Sequence, residues 1–517
     1  MFFGNSAFAA EGFKVNVTVE ADKTKQFMSP VAVGVQTQLY DESLMTAESV
    51  RMIRSSAVTA LRYPGGKIAG VYHWSSNKQT NWQGTEKPNF WIPPANHFGN
   101  FVALLDQTGA RPVITVNYGS NLAGTGGGEP AEAAAWVAYV NGDPNDIKVI
   151  GKDSTGYDWK SVGYWATMRG SQPLAADDGF NFLRIAHARP LHVIYWEIGS
   201  ETFANGYYGI KHKEGGEVED LHFRYSSSKS ESEKIRNGNR ELGPGAYGAN
   251  LIEFAKAMKA VDPNIKIGAV LVTPKDNEWA PDWNSNVLKT VGHSADFLVM
   301  HWRPTSLLPP DWKEMDVPWM LNAPINEIPV SDSLFEMIQK NCTPNVQIAI
   351  TEFAPGWGVM NDPTAKGLFA ADTFASLIES GFVNANWLEL RDGFLDAKNV
   401  PAPAYFGALM TRILMMPNDV MVTSSSSRNI VAVHAAKRAD GSLGMMLINK
   451  DPKEAALVHV SVKGMQLGKT GLRFDYGPTN PPTGTAVARG PISEVGNTFV
   501  VTVPAYTITD IKIPKAQ

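Results

Sequence analysis

Two glutamates stand at the ends of short apolar runs, a position from which a carboxyl group can reach a substrate. Glu201 closes the run 193–201, and Glu352 lies next to the end of the run 346–353. Both runs are rich in β-branched and aromatic residues, which favours β-strands. If the fold brings the two strand ends together, the carboxyl groups can act as a pair. For either glutamate alone, a buried structural ion pair is the alternative interpretation.

Two carboxyl groups about 5–5.5 Å apart support a double displacement at an acetal carbon. One group attacks as the carboxylate, and the other protonates the leaving oxygen. The charge of the attacking group helps its neighbour to hold a proton near neutral pH. Glu197 is a rival candidate, but it lies four residues before Glu201 and therefore deeper in the fold. We expect Glu197 to pair with an internal arginine or lysine.

The elements that must position this pair form a repeating pattern of β-like runs separated by segments long enough to hold a helix. Several of the runs are apolar almost throughout, as expected of parallel strands that are buried on both faces. The pattern predicts an α/β fold, a (β/α)8 TIM barrel in which the C-terminal strand ends share one mouth. The eight predicted strands are 31–36, 60–65, 112–119, 193–201, 266–271, 295–302, 346–353 and 382–390.

After about residue 411 the helical segments stop, and short β-like runs alternate with turns. This texture predicts a C-terminal antiparallel β-sandwich domain. The alternating stretch 13–20 could add a strand to it. We therefore predict a catalytic barrel over 28–410 and a β-sandwich made of 11–27 plus 411–517. Residues 1–10, with the small-x-small sequence Ala7-Phe8-Ala9, resemble the tail of a signal peptide and predict a secreted or periplasmic protein. A frayed terminus is the alternative.

Composition excludes several classes of function. The net charge of -5 gives no basic footprint for nucleic acid or an anionic membrane, and no apolar run is long enough to span one. The single cysteine, Cys342, excludes an intramolecular disulfide and a cysteine-based zinc cluster. The histidines lack metal-ligand spacing, and the glycine-rich stretch 124–128 lacks a phosphate-loop lysine. We expect no metal and no cofactor, while the oligomeric state is open.

A set of motifs in one order along residues 30–390 resembles glycoside hydrolase family 51, the α-L-arabinofuranosidases. No single motif carries the resemblance, but the set is specific to the wider clan of barrel glycosidases with glutamates on strands four and seven. The motifs are Leu61-Arg-Tyr-Pro-Gly-Gly66, Gly70-Val-Tyr-His-Trp74, Gly124-Thr-Gly-Gly-Gly-Glu-Pro130, Tyr195-Trp-Glu-Ile-Gly-Ser-Glu201, His301-Trp302 and Thr351-Glu352-Phe353.

The resemblance implies a retaining glycosidase that acts on a plant or microbial polysaccharide or oligosaccharide. Glu201 would be the general acid/base and Glu352 the nucleophile. Arg62 would hydrogen-bond near the nucleophile and keep it ionised. His301 and Trp302 would line the site, with Trp302 where the family usually has tyrosine. The implied partner is a carbohydrate substrate.

Three sugar-contacting positions depart from the family pattern. Ser200 replaces an asparagine and cannot offer both amide groups. Lys67 replaces the asparagine after the Pro-Gly-Gly turn, and Gln38 stands where a glutamate is expected. Lys67 could favour a carboxylate-bearing sugar such as a uronic acid, or it is a solvent-facing lysine. A carbohydrate-binding protein with a degenerate glycosidase site is the second interpretation, although both catalytic carboxylates are present.

Aromatic residues near the predicted mouth could stack on sugar rings. Trp74 and Trp357 are the two candidates that follow from position, and a role in the core is the alternative for each. The polar insertion 211–240 follows the fourth strand, so it predicts either a lid over the mouth or a solvated surface excursion.

Overall fold

The structure is a computed structural model that describes residues 12–56, 58–80, 92–204, 243–273, 282–304, 316–326, 332–356, 360, 362–478 and 486–516. The candidate signal peptide 1–10, the insertion 211–240 and Trp357 lie outside the described residues, as does the side chain of Lys67.

The strands and helices alternate through the first four fifths of the chain, and strands alone follow. The strands are β1 (Phe13–Phe27), β2 (Val33–Gln36), β3 (Ala60–Tyr63), β4 (Tyr72–His73), β5 (Lys78–Gln79), β6 (Arg111–Val116), β7 (Tyr195–Ile198), β8 (Lys266–Val270), β9 (Phe297–Trp302), β10 (Gln347–Phe353), β11 (Asn384–Trp387), β12 (Val420–Ser426), β13 (Val431–Lys437), β14 (Leu443–Asn449), β15 (Ala456–Lys463), β16 (Thr470–Tyr476), β17 (Ala488–Ser493), β18 (Thr498–Val503) and β19 (Thr507–Ile513). The α-helices are α1 (Ala47–Ser56), α2 (Phe98–Thr108), α3 (Pro130–Asn141), α4 (Val162–Gly170), α5 (Pro244–Val261), α6 (Trp283–Val291), α7 (Val317–Asn326), α8 (Asp332–Asn341), α9 (Pro363–Glu379) and α10 (Pro403–Leu414).

Eight parallel strands close into a barrel in the order β10-β11-β2-β3-β6-β7-β8-β9. Each strand pairs with the next barrel strand along the chain, and β11 pairs with β2 to close the ring. At least one helix follows each of these strands. The predicted (β/α)8 barrel is therefore confirmed, and its eight strands coincide with the eight apolar runs.

Local sequence explains the form of these elements. All six residues of β9 are buried, as required of a strand between the barrel interior and the outer helices. Helix α9 begins after Asp362, whose Oδ1 accepts hydrogen bonds from the backbone N–H groups of Thr364 at 2.8 Å and Ala365 at 3.1 Å. Pro363 occupies the first turn of that helix, where its missing N–H costs nothing.

A second domain consists of one curled nine-stranded sheet in the order β17-β16-β19-β14-β13-β12-β1-β15-β18. Its inner face holds a core of its own, which includes Val17, Leu447 and Val458. The predicted C-terminal sandwich is thus present as a curled sheet. It is antiparallel except between β1 and β15, where a strand from the other end of the chain joins without a hairpin. The predicted limit at residue 410 falls inside α10, and the domain limits stay predictions.

A buried charged cluster joins the sheet to the barrel through α9. Ring atoms Nε2 and Nδ1 of His434, on β13, lie 2.9 Å from Oδ1 of Asp372 and 2.9 Å from Oε2 of Glu379, both on α9. Lys450 adds an ion pair to Asp372 at 2.7 Å, and Lys25 adds one to Glu379. Burial lowers the pKa of His434, but the hydrogen bonds to the two carboxylates outweigh it and raise that pKa to about 9.

Replacing His434 by glutamine is expected to destabilise the protein most strongly in mild acid. Because the folded-state pKa of His434 is raised, its contribution is complete below about pH 6.5 and is lost as the pH rises through about 9. Breaking a buried charge pair costs about 3–5 kcal/mol. Denaturant unfolding should show that difference at about pH 6 and a much smaller one above about pH 9. His459→Gln, on β15 of the same sheet, is the control; equal losses at all pH values would contradict the charge assignment.

Among the described residues, no helix combines the length and the apolar character needed to cross a membrane.

Candidate active site

An irregularity in β10 sets the orientation of the Glu352 side chain. The register runs from Ile350 opposite Met300 to Glu352 opposite His301, so β10 holds one residue more than β9 at this point. Such a bulge redirects the side chains that follow it. It brings Glu352, 4% exposed, into register with His301 at the C-terminal end of the barrel.

Glu201 lies beyond its strand on a sharp turn. The predicted strand 193–201 ends in the structure at Ile198, and Gly199 follows with a φ of 79°. A Cβ at Gly199 would lie 2.5 Å from Cγ2 of Thr202, so this turn requires glycine. Glu201 itself has a φ of 46°, a left-handed conformation that costs about 1–3 kcal/mol and persists where the surroundings hold it.

The turn and the bulge bring the two predicted catalytic glutamates together. One carboxylate oxygen of Glu201, one of Glu352 and a ring nitrogen of His301 all lie within 4.8 Å of one another. His301 contacts both: its Nδ1 lies 2.7 Å from Oε1 of Glu201 and 3.3 Å from Oε2 of Glu352. This separation of the carboxyl groups is in the range of covalent glycoside chemistry, not of the wider inverting arrangement.

Arg62, on β3, is a fully buried cation that ties Glu352 to the barrel interior. Its Nη1 donates to Oε1 of Glu352 at 2.7 Å, and its Nε donates to Oε2 of Glu197 at 2.8 Å. Nη1 also donates to Gln36, and Nη2 to the hydroxyl of Ser200 at 3.2 Å. Burial lowers the pKa of Arg62, but the two carboxylates outweigh it and raise that pKa. The predicted pairing of Glu197 with an internal arginine is confirmed.

The double-glycine turn after β3 lets the backbone come close to Glu352. Gly65 and Gly66 have φ values of 89° and 53°. A Cβ at Gly65 would lie 1.9 Å from the carbonyl oxygen of Thr37, and one at Gly66 would lie 3.9 Å from Oε1 of Glu352. The clash at Gly65 and the positive φ at both positions require glycine, which explains the Pro-Gly-Gly motif in physical terms.

A second arginine lies at the mouth. Arg303 directly follows β9; its Nη2 donates to Oε2 of Glu352 at 3.1 Å, and its Nη1 lies 3.8 Å from Oε1 of Glu201. Glu201, His301 and Glu352 are also a group that could hold a metal ion. The guanidinium of Arg303 competes with such an ion for the same carboxylate oxygens.

Glu389 adds a third carboxyl group near the mouth, two residues beyond β11. Burial and the charge of Glu352 raise the pKa of Glu389 to about 7, against the opposing effect of Arg303. The phenol of Tyr40 also has a raised pKa, because of burial and then the charges of Glu389 and Glu352. The mouth therefore combines a fixed carboxylate pair with a carboxyl group that titrates near neutrality.

Replacing Glu389 by glutamine is expected to stabilise the protein in weak alkali. The raised folded-state pKa means that wild type loses stability as the pH rises through about 7. With allowance for partial exposure, the variant should gain about 1–3 kcal/mol at about pH 8 and almost nothing below about pH 5. Thermal unfolding across this range measures the gain, with Glu336→Gln on the exposed face of α8 as the control. A variant less stable than wild type at about pH 8 would contradict the assignment.

The remaining predicted sugar-contacting positions have different outcomes. Ser200 is buried and bonded to Arg62. Gln38, two residues beyond β2, is 5% exposed, and its Nε2 has no hydrogen-bond partner among the described residues. Lys67 begins the short helical turn after Gly66, with its side chain outside the described part, and Trp357 is outside it entirely.

Two aromatic predictions need correction. Trp74 is 1% exposed, stacks on Trp136 at a centroid distance of 5.7 Å and packs against Trp165. Its ring is part of the core, so no face is open to a sugar. Trp302 is 3% exposed and stacks on Phe369 of α9. Adjacent residues of a strand point to opposite sides, so the strand that turns His301 inward turns Trp302 toward the helix layer.

Three residues of the mouth were not identified by sequence reasoning. Gln36 accepts from Arg62, Arg303 contacts Glu352, and Glu389 follows β11. A signal existed for two of them. Glu389 lies inside the predicted strand 382–390 and meets the same criterion as the other glutamates, and Arg303 directly follows the predicted strand 295–302.

Comparison with solved structures agrees with this architecture. The chain superimposes on the family 51 α-L-arabinofuranosidase of Thermotoga petrophila with a TM-score of 0.66 at 19% identity, over 96% of this chain and 100% of that one. The fold is that of the family 51 arabinofuranosidases. The chain also superimposes on a family 44 endoglucanase of Clostridium thermocellum with a TM-score of 0.64 at 16% identity, over 97% of this chain and 100% of that one.

Sequence relatives point the same way over part of the chain. The "Probable alpha-L-arabinofuranosidase C" of Aspergillus fumigatus is 23% identical over 261 residues, which are 49% of this chain and 38% of that protein. The "Alpha-L-arabinofuranosidase C" of Emericella nidulans is 24% identical over 233 residues, 44% of this chain and 33% of that one. The chain thus spans well under half the length of these relatives. No family model matches it, but the resemblance that the motifs predicted is confirmed.

Proposed function

We propose that this chain is a retaining glycoside hydrolase, arabinofuranosidase-like in its fold and catalytic pair, that acts on a polysaccharide or oligosaccharide. The observation that supports it is the convergence of Glu201 and Glu352 within 4.8 Å at the C-terminal end of one barrel. That separation suits a direct attack by one carboxylate and is shorter than the about 6.5–9.5 Å that an inverting mechanism uses.

In the first step Glu352 acts as the nucleophile. Its carboxylate oxygen bonds to the anomeric carbon while the bond from that carbon to the leaving oxygen breaks. Glu201 gives its proton to the leaving oxygen, so the departing alcohol is neutral. Arg62 holds Oε1 of Glu352 at 2.7 Å, so it fixes the orientation of the attacking group.

In the second step Glu201, now a carboxylate, takes a proton from water. The water oxygen bonds to the anomeric carbon, and the ester bond to Glu352 breaks, which returns both groups to their starting states. His301 contacts both carboxyl groups, so it can keep them at a constant separation during the two steps. Two inversions give net retention at the anomeric carbon.

We also propose that the protein is exported from the cytoplasm. The Ala7-Phe8-Ala9 sequence supports export to the periplasm or the medium, where polymeric glycans are accessible. N-terminal sequencing of the protein recovered from the host's medium or periplasm checks this, with a new terminus just after Ala9 as the expected result. An intact terminus in the cytoplasmic fraction would contradict it.

Hydrolysis of a panel of aryl glycosides, furanosides and pyranosides of both anomers, tests the reaction. The expected result is turnover of at least one, with the first-formed sugar in the anomeric configuration of the substrate, as followed by NMR. An inverted product would contradict the mechanism. Measurable sugar binding without turnover on any substrate would favour the alternative, a carbohydrate-binding protein with a degenerate site.

A further inference from the structure

The bonding of Arg303 at the mouth is incomplete. Its side chain is 14% exposed, and within the described residues the contacts of its guanidinium are to the two catalytic glutamates, Oε2 of Glu352 at 3.1 Å and Oε1 of Glu201 at 3.8 Å. Its Nε is buried and has no hydrogen-bond partner in the described part of the chain. A buried N–H without an acceptor is costly, so this edge of the guanidinium is suited to an acceptor that comes from outside.

Arg62 offers no such opening. Its Nε is bonded to Glu197, its Nη1 to Glu352 and its Nη2 to Ser200, and the side chain is fully buried. Arg62 therefore stays on Oε1 of Glu352 when a ligand enters. Of the two arginines that contact Glu352 within the described residues, Arg303 is the one that can change partners.

The two arginines divide the oxygens of Glu352 between them. Arg62 holds Oε1, while Arg303 and His301 contact Oε2. Because Arg62 is fixed on Oε1, Oε2 is the oxygen that would attack the anomeric carbon. Two neighbours already occupy its lone pairs, His301 at 3.3 Å and Arg303 at 3.1 Å, and Arg303 is the more exposed of the two side chains, at 14% against 6%. We therefore take Arg303 as the neighbour that withdraws, and a partly buried guanidinium that loses its carboxylate needs another acceptor of the same kind.

A carboxylate on the substrate would supply that acceptor. We propose that the sugar bound at this site carries a carboxylate, as in a uronic acid, and that Arg303 exchanges Oε2 of Glu352 for this group. The guanidinium fork matches a carboxylate in a two-point contact, in which the free Nε takes part. A neutral sugar has hydroxyl groups in place of the carboxylate, and a hydroxyl oxygen is a weaker acceptor for Arg303 than the carboxylate of Glu352 that it would replace. This inference rests on the proposed function, because the exchange is driven by the attack of Glu352.

Among the described residues, Glu389 is a competing acceptor. Arg303 is close enough to lower the pKa of Glu389, but burial and the charge of Glu352 outweigh it and raise that pKa to about 7. The carboxyl group of Glu389 is therefore partly protonated near neutral pH. A protonated Glu389 is a poor replacement for the carboxylate that Arg303 gives up. The variant Glu389→Gln therefore belongs in the same experiment as a check on this route.

Matched pairs of 4-nitrophenyl glycosides that differ only at C6 test the exchange: glucuronide against glucoside and galacturonide against galactoside, in both anomers. We expect the uronide of at least one pair to be hydrolysed with a kcat/KM about 100-fold above its neutral partner. Arg303→Gln should lower kcat/KM for that uronide about 100-fold and change the neutral sugar less than about 10-fold. Arg303→Lys keeps the positive charge but lacks the planar guanidinium, so its kcat/KM on the uronide should lie between those of wild type and Arg303→Gln.

Arg184→Gln is the matched control, because Arg184, in the segment before β7, forms its ion pair with Asp178 and not with a catalytic glutamate. Equal losses on uronide and neutral substrates in Arg303→Gln would overturn the proposal, since Arg303 would then act only by holding Glu352. Preference for neutral glycosides would overturn it and leave the proposed function intact. A uniform loss in Glu389→Gln would identify Glu389 as the receiving group, which also overturns it.

Calorimetric binding of free glucuronate and galacturonate, against glucose and galactose, gives a second readout that needs no turnover. Wild type should bind one uronate at least about 10-fold more tightly than the matching neutral sugar, and Arg303→Gln should remove that difference. Absence of uronate binding overturns the inference whatever the activity. Uronate binding that depends on Arg303, without hydrolysis of any glycoside, supports the carboxylate site and counts against the proposed function.

Discussion

Glu352→Gln is expected to lose turnover on the order of 10⁴-fold or more on whichever glycoside the wild-type chain hydrolyses, because no bond to the anomeric carbon can form. The amide keeps the shape of the side chain and can still contact Arg62 and His301, so the fold should survive. Steady-state kinetics measure the loss. Glu336→Gln on α8 is exposed and should retain wild-type rates.

A covalent probe identifies the nucleophile directly. A 2-fluoro sugar with a good leaving group should inactivate the wild type, and peptide mapping should place the label on Glu352. Glu389 is the rival, since it lies near Glu352 at the end of the adjacent strand. A stable adduct on Glu389, or more than a tenth of wild-type activity in Glu352→Gln, would reverse the assignment.

Glu201→Ala is expected to discriminate between substrates by their leaving groups. Loss of a positioned general acid costs about 10²–10⁴-fold where the leaving oxygen needs a proton. An activated group such as 2,4-dinitrophenolate departs without one, so its first step should slow only slightly. Comparing kcat/KM for phenyl and dinitrophenyl glycosides measures the difference.

Azide provides the check on the second step of the Glu201 variant. The small anion attacks the glycosyl-enzyme without a general base, so it should restore turnover of the dinitrophenyl substrate and give a glycosyl azide of retained configuration. Equal losses on both substrates, with no response to azide, would show that Glu201 is not the acid/base. Glu253→Ala, on the outer side of α5, is the matched control.

Much of the fold was predictable because its signal is local. A strand that is buried on both faces, such as β9, is mostly apolar, and the eight β-like runs, several of them of this kind, predicted the barrel. The parallel pairing of β1 with β15 was not predictable, because nothing in residues 13–27 specifies the direction of a partner more than four hundred residues away. The predicted second domain is therefore confirmed as a curled, mostly antiparallel sheet, and its one parallel pair is the feature that the sequence did not indicate.

The candidate site was predicted in its residue types but not in its geometry. Glu201 and Glu352 were expected at strand ends, whereas the structure places one on a turn and the other after a bulge. Gly199 permits the turn but does not by itself predict it, and the bulge has no marker in a single sequence. The predicted sugar contacts of Trp74 and Trp302 were wrong for a related reason. Position along the chain does not tell which side of a strand or loop a ring faces.

The order of strands in the sheet has a consequence for any attempt to divide this protein. β1 lies in the interior of the sheet, between β12 and β15, although it precedes the barrel in the chain. A fragment that starts after the barrel would lack this strand and leave two unsatisfied edges, which invite association with other chains. The sheet therefore cannot form completely from the residues that follow the barrel, since one of its interior strands comes from a segment that precedes the barrel.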